Sequence, residues 1–165
     1  MVTFNVAYTA PVNKAGATPT LTQAQVWEGL KLKVRRAQDF VPIITGCKVL
    51  SEETLPTGEL KVTREAEFAP VNGNPGRTVK EVCVHYEPCR VVFQQEDGSS
   101  VMNLISTRPD GGLLLSYVFE WRHPDVAEGS EKASQLEKNH WEMAKVAVES
   151  SLDTIRSMVT EGKIQ

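Results

Sequence analysis

Residues 129–161 read GSEKASQLEKNHWEMAKVAVESSLDTIRSMVTE, a stretch with no proline and no glycine after Gly129. Leu136, His140, Met143, Ala147, Ser151, Thr154 or Ile155, and Met158 recur on one helical stripe, while Lys138, Glu142, Lys145, Glu149 and Arg156 fall mostly off it. The spacing predicts one amphipathic helix over 131–161, about 46 Å long at 1.5 Å per residue. Its stripe includes small or polar side chains, Ala144, Ala147, Ser151 and Thr154. What this helix covers decides the fold.

Working back toward the N-terminus, the pattern changes to short alternating runs about ten residues apart. Strands are expected at 44–52, 58–69, 78–87, 89–95, 100–107 and 113–122. The turns between them are Pro56-Thr57-Gly58, Asn72-Gly73-Asn74-Pro75-Gly76, Glu87-Pro88, Asp97-Gly98 and Pro109-Asp110-Gly111-Gly112, the chemistry of an antiparallel meander. VTFNVAYTA at 2–10 adds a first strand, stopped by Pro11. Thr22 and Gln25 form a capping box ahead of Val26, Trp27, Leu30 and Val34, which predicts a helix over about 23–36. AQDFVPII supplies a second short helical turn, ended by Pro42. Seven antiparallel strands must bury one face, and the final helix alone is long enough to cover it. The expected class is α+β: a curved seven-stranded antiparallel sheet wrapped around a long C-terminal helix, with two short helices after the first strand, in one domain over 1–165. Small residues on the helix stripe leave room for a ligand beneath it.

This order of elements resembles the START/SRPBCC helix-grip superfamily, which includes birch-pollen-allergen-like proteins and aromatic polyketide cyclases. Within it, TLTQAQVWEGL (20–30), DFVPIITGCKVL (39–50), TREAEF (63–68), NLIS (103–106), LSYVFEW (115–121) and the long helix after EGSE (128–131) are similar to the AtaL-like family, named after a protein of a fungal secondary-metabolite cluster. The resemblance spans about residues 3–160. It implies an internal cavity for a hydrophobic, aromatic or polyketide-like small molecule in a biosynthetic pathway. It leaves open a cofactor-independent cyclase, dehydratase or related lyase, or a non-catalytic carrier. A protein-interaction module using the outer sheet face is the reading to prefer if Phe68, Phe93, Phe119 and Met143 fill the cavity.

Residues 60–68, LKVTREAEF, place Arg64 on the apolar face with Leu60, Val62, Ala66 and Phe68, because strand side chains alternate with period two. Arg64 there either pairs with a carboxylate and stiffens the wall, or orients a ligand oxygen with its fixed fork of donors. A turn pairing Arg64 with Val84 puts Val82, Val84 and Tyr86 on the same face, and sends Glu81, Cys83 and His85 outward. Two-residue turns at Asp97-Gly98 and Asp110-Gly111 add Val91, Phe93, Met102, Leu104, Ser106, Leu115, Tyr117 and Phe119. The cavity lining expected is thus Val62, Phe68, Val84, Phe93, Met102, Leu104, Phe119, Met143 and Ala147, with Arg64, Tyr86, Tyr117 and His140 as candidate catalytic groups. If the sixth and seventh strands are inverted, Asn103 and Glu120 become the polar pair instead. In the first register, the outer stripe of Val101, Ile105, Ser116 and Val118 is a candidate homodimer surface.

Composition limits the alternatives. Asp and Glu outnumber Lys and Arg by 21 to 18, which argues against a nucleic-acid partner, and the dense basic run from Lys31 to Arg36 reads as a solvated helix face. The longest apolar run is too short to span a bilayer. Three cysteines without CxxC spacing, and an N-terminus that leads straight into a strand, favour a reducing, cytoplasmic setting. His85, His123 and His140 lack metal-ligand spacing, and no phosphate loop, dinucleotide fingerprint or nucleophile elbow occurs. No metal and no cofactor is expected.

Overall fold

Strands β1 (Val2–Pro11), β2 (Ile44–Thr54), β3 (Leu60–Phe68), β4 (Arg77–Tyr86), β5 (Arg90–Gln95), β6 (Ser100–Thr107) and β7 (Leu113–His123) form one antiparallel sheet in the order β1-β7-β6-β5-β4-β3-β2. Every neighbour but β1 is joined by a hairpin, and β1 closes the sheet against β7. The computed structural model describes residues 1–71 and 75–165; the expected Asn72-Gly73-Asn74-Pro75-Gly76 turn lies largely outside them. Helix α1 (Gln23–Arg35) and a 3₁₀ turn (Ala37–Asp39) follow β1, and α2 (Glu131–Thr160) closes the chain. This is the helix-grip arrangement.

Local chemistry sets the helix ends. The Thr22 hydroxyl accepts from the Gln25 amide at 3.2 Å, and the Gln25 side chain accepts from the Thr22 amide at 2.9 Å. Ser130 accepts from the Ala133 amide to begin α2. The buried face of α2 consists of Ala133, His140, Ala144, Ala147, Val148, Ser151, Leu152 and Ile155, one step around from the expected stripe, so Met143 and Met158 are only half-buried. Helix α1 packs closely on α2 at Gly29, where a side chain would collide with Ile155. Val26, Trp27, Leu30 and Val34 of α1 join that core, together with Phe93, Leu115, Tyr117 and Phe119 of the sheet.

Three expected registers are corrected. Gln95 and Ser99 close the β5–β6 hairpin around a three-residue loop with Gly98 at φ 85°, and Arg108 and Gly112 close β6–β7 likewise with Gly111 at φ 83°. Phe93 therefore faces Val101, not Met102, and Tyr117 faces Asn103, not Leu104. Each extra loop residue inverts parity once. The two inversions cancel at β7 and leave only β6 reversed: Val101, Asn103 and Ile105 point inward, Met102 and Leu104 outward. The outer stripe proposed for a homodimer is split, since Ile105 is buried inside and Val118 is exposed outside. In the third case Arg64 faces Glu81, so Glu81, Cys83 and His85 are buried, and Val82, Val84 and Tyr86 turn outward. The ionisable groups are tolerated inside because each is accommodated there: Glu81 pairs with Arg64, the His85 ring bonds to Leu60 O, and the Cys83 thiol stays neutral, pushed up to about 12 by burial.

Candidate functional site

Antiparallel register places Leu60, His85, Val91, Asn103, Tyr117 and Tyr8 in one row across the sheet. His85, Asn103 and Tyr117 point inward from it and are buried. Helix α1 covers this row and contributes Lys33, which follows Val26 by seven residues and Leu30 by three, on the face that turns toward the core. Lys33 Nζ donates to Asn103 Oδ1 at 2.8 Å and lies 4.4 Å from the centre of the Tyr117 ring and 4.9 Å from that of Phe93. Only 5% of Lys33 is exposed. Burial, reinforced by the Arg64 charge and opposed by Glu81, pulls its amine down to about 7.

Several polar atoms along the row have no partner. Asn103 Nδ2 and the Tyr117 hydroxyl are buried without a hydrogen bond. Burial raises the Tyr117 pKa, and Ser151, whose hydroxyl donates to Ala147 O at 2.7 Å, lies close enough to the Tyr117 oxygen to oppose that shift without meeting hydrogen-bond geometry. His85 Nδ1 lies 3.1 Å from Leu60 O, a contact that fixes the proton on Nδ1 and leaves Nε2 as the acceptor. Nε2 is unpartnered, as is Trp27 Nε1, whose ring meets His85 edge-on with centroids 6.2 Å apart. Burial lowers the His85 pKa and keeps the ring neutral. Buried polar atoms are normally satisfied by protein or by ordered water, and four of those without a protein partner gather between α1 and this row.

Two inward-facing rows along the sheet, Arg64 is fully engaged. Nε and Nη2 donate to Glu81 Oε2 at 2.9 and 2.6 Å, and Nη1 donates to Lys33 O and Val34 O at 3.0 and 2.8 Å. Those carbonyls belong to the last turn of α1, which lacks internal partners for them, so Arg64 caps the helix and pins it to the sheet. Gln95 Nε2 donates to Glu81 Oε1 at 3.0 Å, so both carboxylate oxygens are occupied. Burial works against the Arg64 charge, and Glu81 together with the neighbouring Cys83 and Cys47 outweighs it.

A second cluster lies where β7 ends against α2. His123 Nε2 and His140 Nε2 are 2.9 Å apart, Trp121 stacks on His140 with centroids 4.1 Å apart, and Phe4 packs edge-on against both imidazoles. Burial, then the neighbouring His123 and Arg77, pull the His140 pKa down to about 4, so the pair is neutral near pH 7 and one ring donates to the other.

The structure thus places the expected site residues in separate groups. Tyr117 and Asn103 meet at the row beneath α1, and Arg64 lies beside them. Val62, Phe93, Phe119 and Ala147 are buried in the core, and Phe68 packs against its edge. His140 belongs to the second cluster. Tyr86, Val84, Met102, Leu104 and Glu120 face outward, where Tyr86 stacks under Arg90 and Glu120 pairs with Arg122. Lys33, Glu81, His85 and Gln95 were missed. The position of Lys33 on the Val26–Leu30 stripe was the available signal. An open depression of about 410 Å³, lined by Thr18, Asp153, Arg156, Ser157, Thr160 and Glu161, lies apart from the row beside the C-terminal turns of α2.

A family model described as "AtaL: Acetylaranotin biosynthesis cluster protein L" matches residues 6–162. Acetylaranotin biosynthesis cluster protein L of Aspergillus terreus (strain NIH 2624 / FGSC A1156) is 29% identical over 163 residues, covering 99% of this chain and 94% of that protein. Among solved structures, the di-domain ARO/CYC StfQ from the steffimycin biosynthetic pathway superposes with a TM-score of 0.64 at 15% identity over 96% of this chain. The chain spans about half of StfQ, 52% of its length. The Zhui aromatase/cyclase from Streptomyces sp. R1128 gives 0.63 at 17% identity, covering 96% of both chains. Ara h 8.0201 gives 0.52 at 14% identity over 97% of this chain and 98% of that one. At these identities the structural likenesses establish the fold alone.

Proposed function

The chain belongs to the AtaL family, and from that premise we propose that it binds a hydrophobic, aromatic or polyketide-like small molecule between the sheet and its helices, in a pathway of secondary metabolism. The relative from a biosynthesis cluster and the aromatase/cyclase neighbours support the ligand class. The observation that carries the reading is the row of unpartnered polar atoms under α1, on Trp27, His85, Asn103 and Tyr117, beside the buried Lys33, Arg64, Glu81 and Gln95. Asn103 Nδ2 and the Tyr117 hydroxyl are donors for ligand oxygens, and the aromatic walls of Phe93 and Trp27 suit a flat ring. The row is closed over by α1, so access for a ligand requires α1 to shift against the Arg64 contacts that pin it.

The same groups support cofactor-independent cyclase or dehydratase chemistry. Lys33 is held low and Tyr117 high, which sets a proton acceptor and a proton donor apart in pKa, the amine lying over the ring that carries the donor. His85 Nε2 is a second acceptor. A proton removed beside a ligand carbonyl leaves an enolate oxygen that Asn103 and Tyr117 would stabilise. A carrier needs the same donors but no such pairing.

Native mass spectrometry of protein purified from its host, with tryptophan fluorescence titrations of aromatic and polyketide-like compounds, tests the proposal. A co-purified small molecule and saturable quenching are expected. Neither being found would oppose it and favour a protein-interaction role for the outer sheet face. Tyr117→Phe separates enzyme from carrier: loss of a general acid lowers turnover by about 10²–10⁴ while binding persists, and a carrier shows no turnover to lose.

A further inference from the structure

We propose that Lys33 is a nucleophilic amine that forms a carbon–nitrogen bond with a β-dicarbonyl ligand seated on the polar row. The inference rests on the reading above that the row receives a ligand, and it names the ligand's reacting group.

Three observations carry it. First, Lys33 is buried beside a carboxylate it does not use. Glu81 Oε2 takes Arg64 Nε and Nη2, and Glu81 Oε1 takes Gln95 Nε2, so the hydrogen-bond partner left to Lys33 is the neutral amide oxygen of Asn103. A lysine kept for structural pairing would hold the carboxylate. Second, with one N–H directed at Asn103 Oδ1, the amine sits over the faces of the Phe93 and Tyr117 rings, which favour its ammonium form, while near-complete burial favours the free amine with its lone pair available. Its proton affinity, pulled down to about 7, agrees with that placement. Third, Asn103 and Tyr117 are directly paired residues of β6 and β7, and both present an unused donor into the interior. Paired residues on one face hold their side chains about 4.5–5.5 Å apart at Cβ. The Asn103 amide ends near the sheet and the Tyr117 hydroxyl further into the interior, so a ligand with carbonyl oxygens repeated along its length, as in a poly-β-keto chain, suits the two donors.

The chemistry balances without a cofactor. The Lys33 nitrogen adds to one carbonyl carbon, and the carbonyl π pair moves to oxygen, which takes a proton to give a carbinolamine. That oxygen leaves as water with both hydrogens supplied originally by the amine, by way of Tyr117 as proton donor and return acceptor. The resulting imine shifts one proton from the central carbon to nitrogen and becomes a vinylogous amide. No electron is gained or lost.

The test uses the full chain with pentane-2,4-dione and 1-phenylbutane-1,3-dione as probes near pH 7.5. Surface lysines are largely protonated there, so the expected result is one adduct per chain whose added mass equals the diketone less one water, mapped to Lys33 and formed at least tenfold faster than at any other lysine. Lys33→Arg and Lys33→Met, each checked for folding by near-UV circular dichroism, should abolish that adduct. Adducts spread over surface lysines, or formed unchanged in both variants, would overturn the inference. Quenching of tryptophan fluorescence by 1-phenylbutane-1,3-dione is read in parallel. Saturable quenching without an adduct overturns the role of Lys33 and leaves the binding proposal standing, whereas neither quenching nor adduct counts against both.

Discussion

Moving a guanidinium and a carboxylate out of water costs several kcal/mol per ion, and Arg64 and Glu81 offset that cost only by satisfying each other and their neighbours. With Nε, Nη1 and Nη2 all engaged, Arg64 has the environment of a wall-stiffening residue. Arg64→Met should destabilise the fold by about 3–5 kcal/mol, because Glu81 is left charged and buried. Adding Glu81→Met should recover most of the loss in urea unfolding. If the single variant kept full stability, the pair would not be holding α1 to the sheet. Lys33 predicts the opposite sign. An unfolded lysine titrates near 10.5 and the folded one at about 7, so at neutral pH the unfolded state binds more protons and stability rises with pH between those values. Lys33→Met removes a penalty of roughly 4 kcal/mol at pH 7 and leaves Asn103 without its partner, at about 1–3 kcal/mol. Net stabilisation at pH 7 that shrinks toward pH 10 is the expected outcome, read as the difference in urea midpoint between wild type and variant. A stability gap independent of pH would show that Lys33 is charged in the fold.

At the scale of elements, the order of strands, the capping box and the long helix were legible because each depends on local patterning. Register was not, because a single loop residue reverses every side chain of a strand. Asp97-Gly98 and Asp110-Gly111 suit two-residue turns equally well by composition, and only hydrogen bonding at Gln95–Ser99 and Arg108–Gly112 reveals a third loop residue. That one ambiguity left Asn103 a second choice and promoted Met102 and Leu104. The inward turn of Glu81 and His85 was hidden by a different fact: burial of ionisable groups is decided by partners distant in sequence. Lys33 was obscured by the basic residues around it, although Val26 and Leu30 mark its face. Gly111 isolates the cost of the loop geometry, since a Cβ there meets nothing within 4 Å. Gly111→Ala should cost about 1–2 kcal/mol through its positive φ alone. An unchanged melting temperature would contradict the three-residue loop.

Across the whole molecule, the two polar clusters sit at different places in the sheet and answer to different conditions. His140, packed among His123, Phe4 and Trp121 with Arg77 adding positive charge, stays neutral down to about pH 4, while an unfolded histidine protonates near 6.5. The unfolded state therefore binds the extra proton first, and stability falls as pH drops from about 6.5 toward 4. His140→Gln should flatten that part of the pH profile, which thermal melts across the range would show. The row beneath α1 carries the functional account. Its most direct test is a two-dimensional NMR titration of the ¹⁵N-labelled chain with an aromatic 1,3-diketone, following the Asn103 side-chain amide and the Trp27 indole N–H. The account predicts that these resonances shift together and saturate, with backbone changes along α1. Shifts confined to the depression near Thr18 and Arg156, or to the outer face around Tyr86 and Val118, would contradict it.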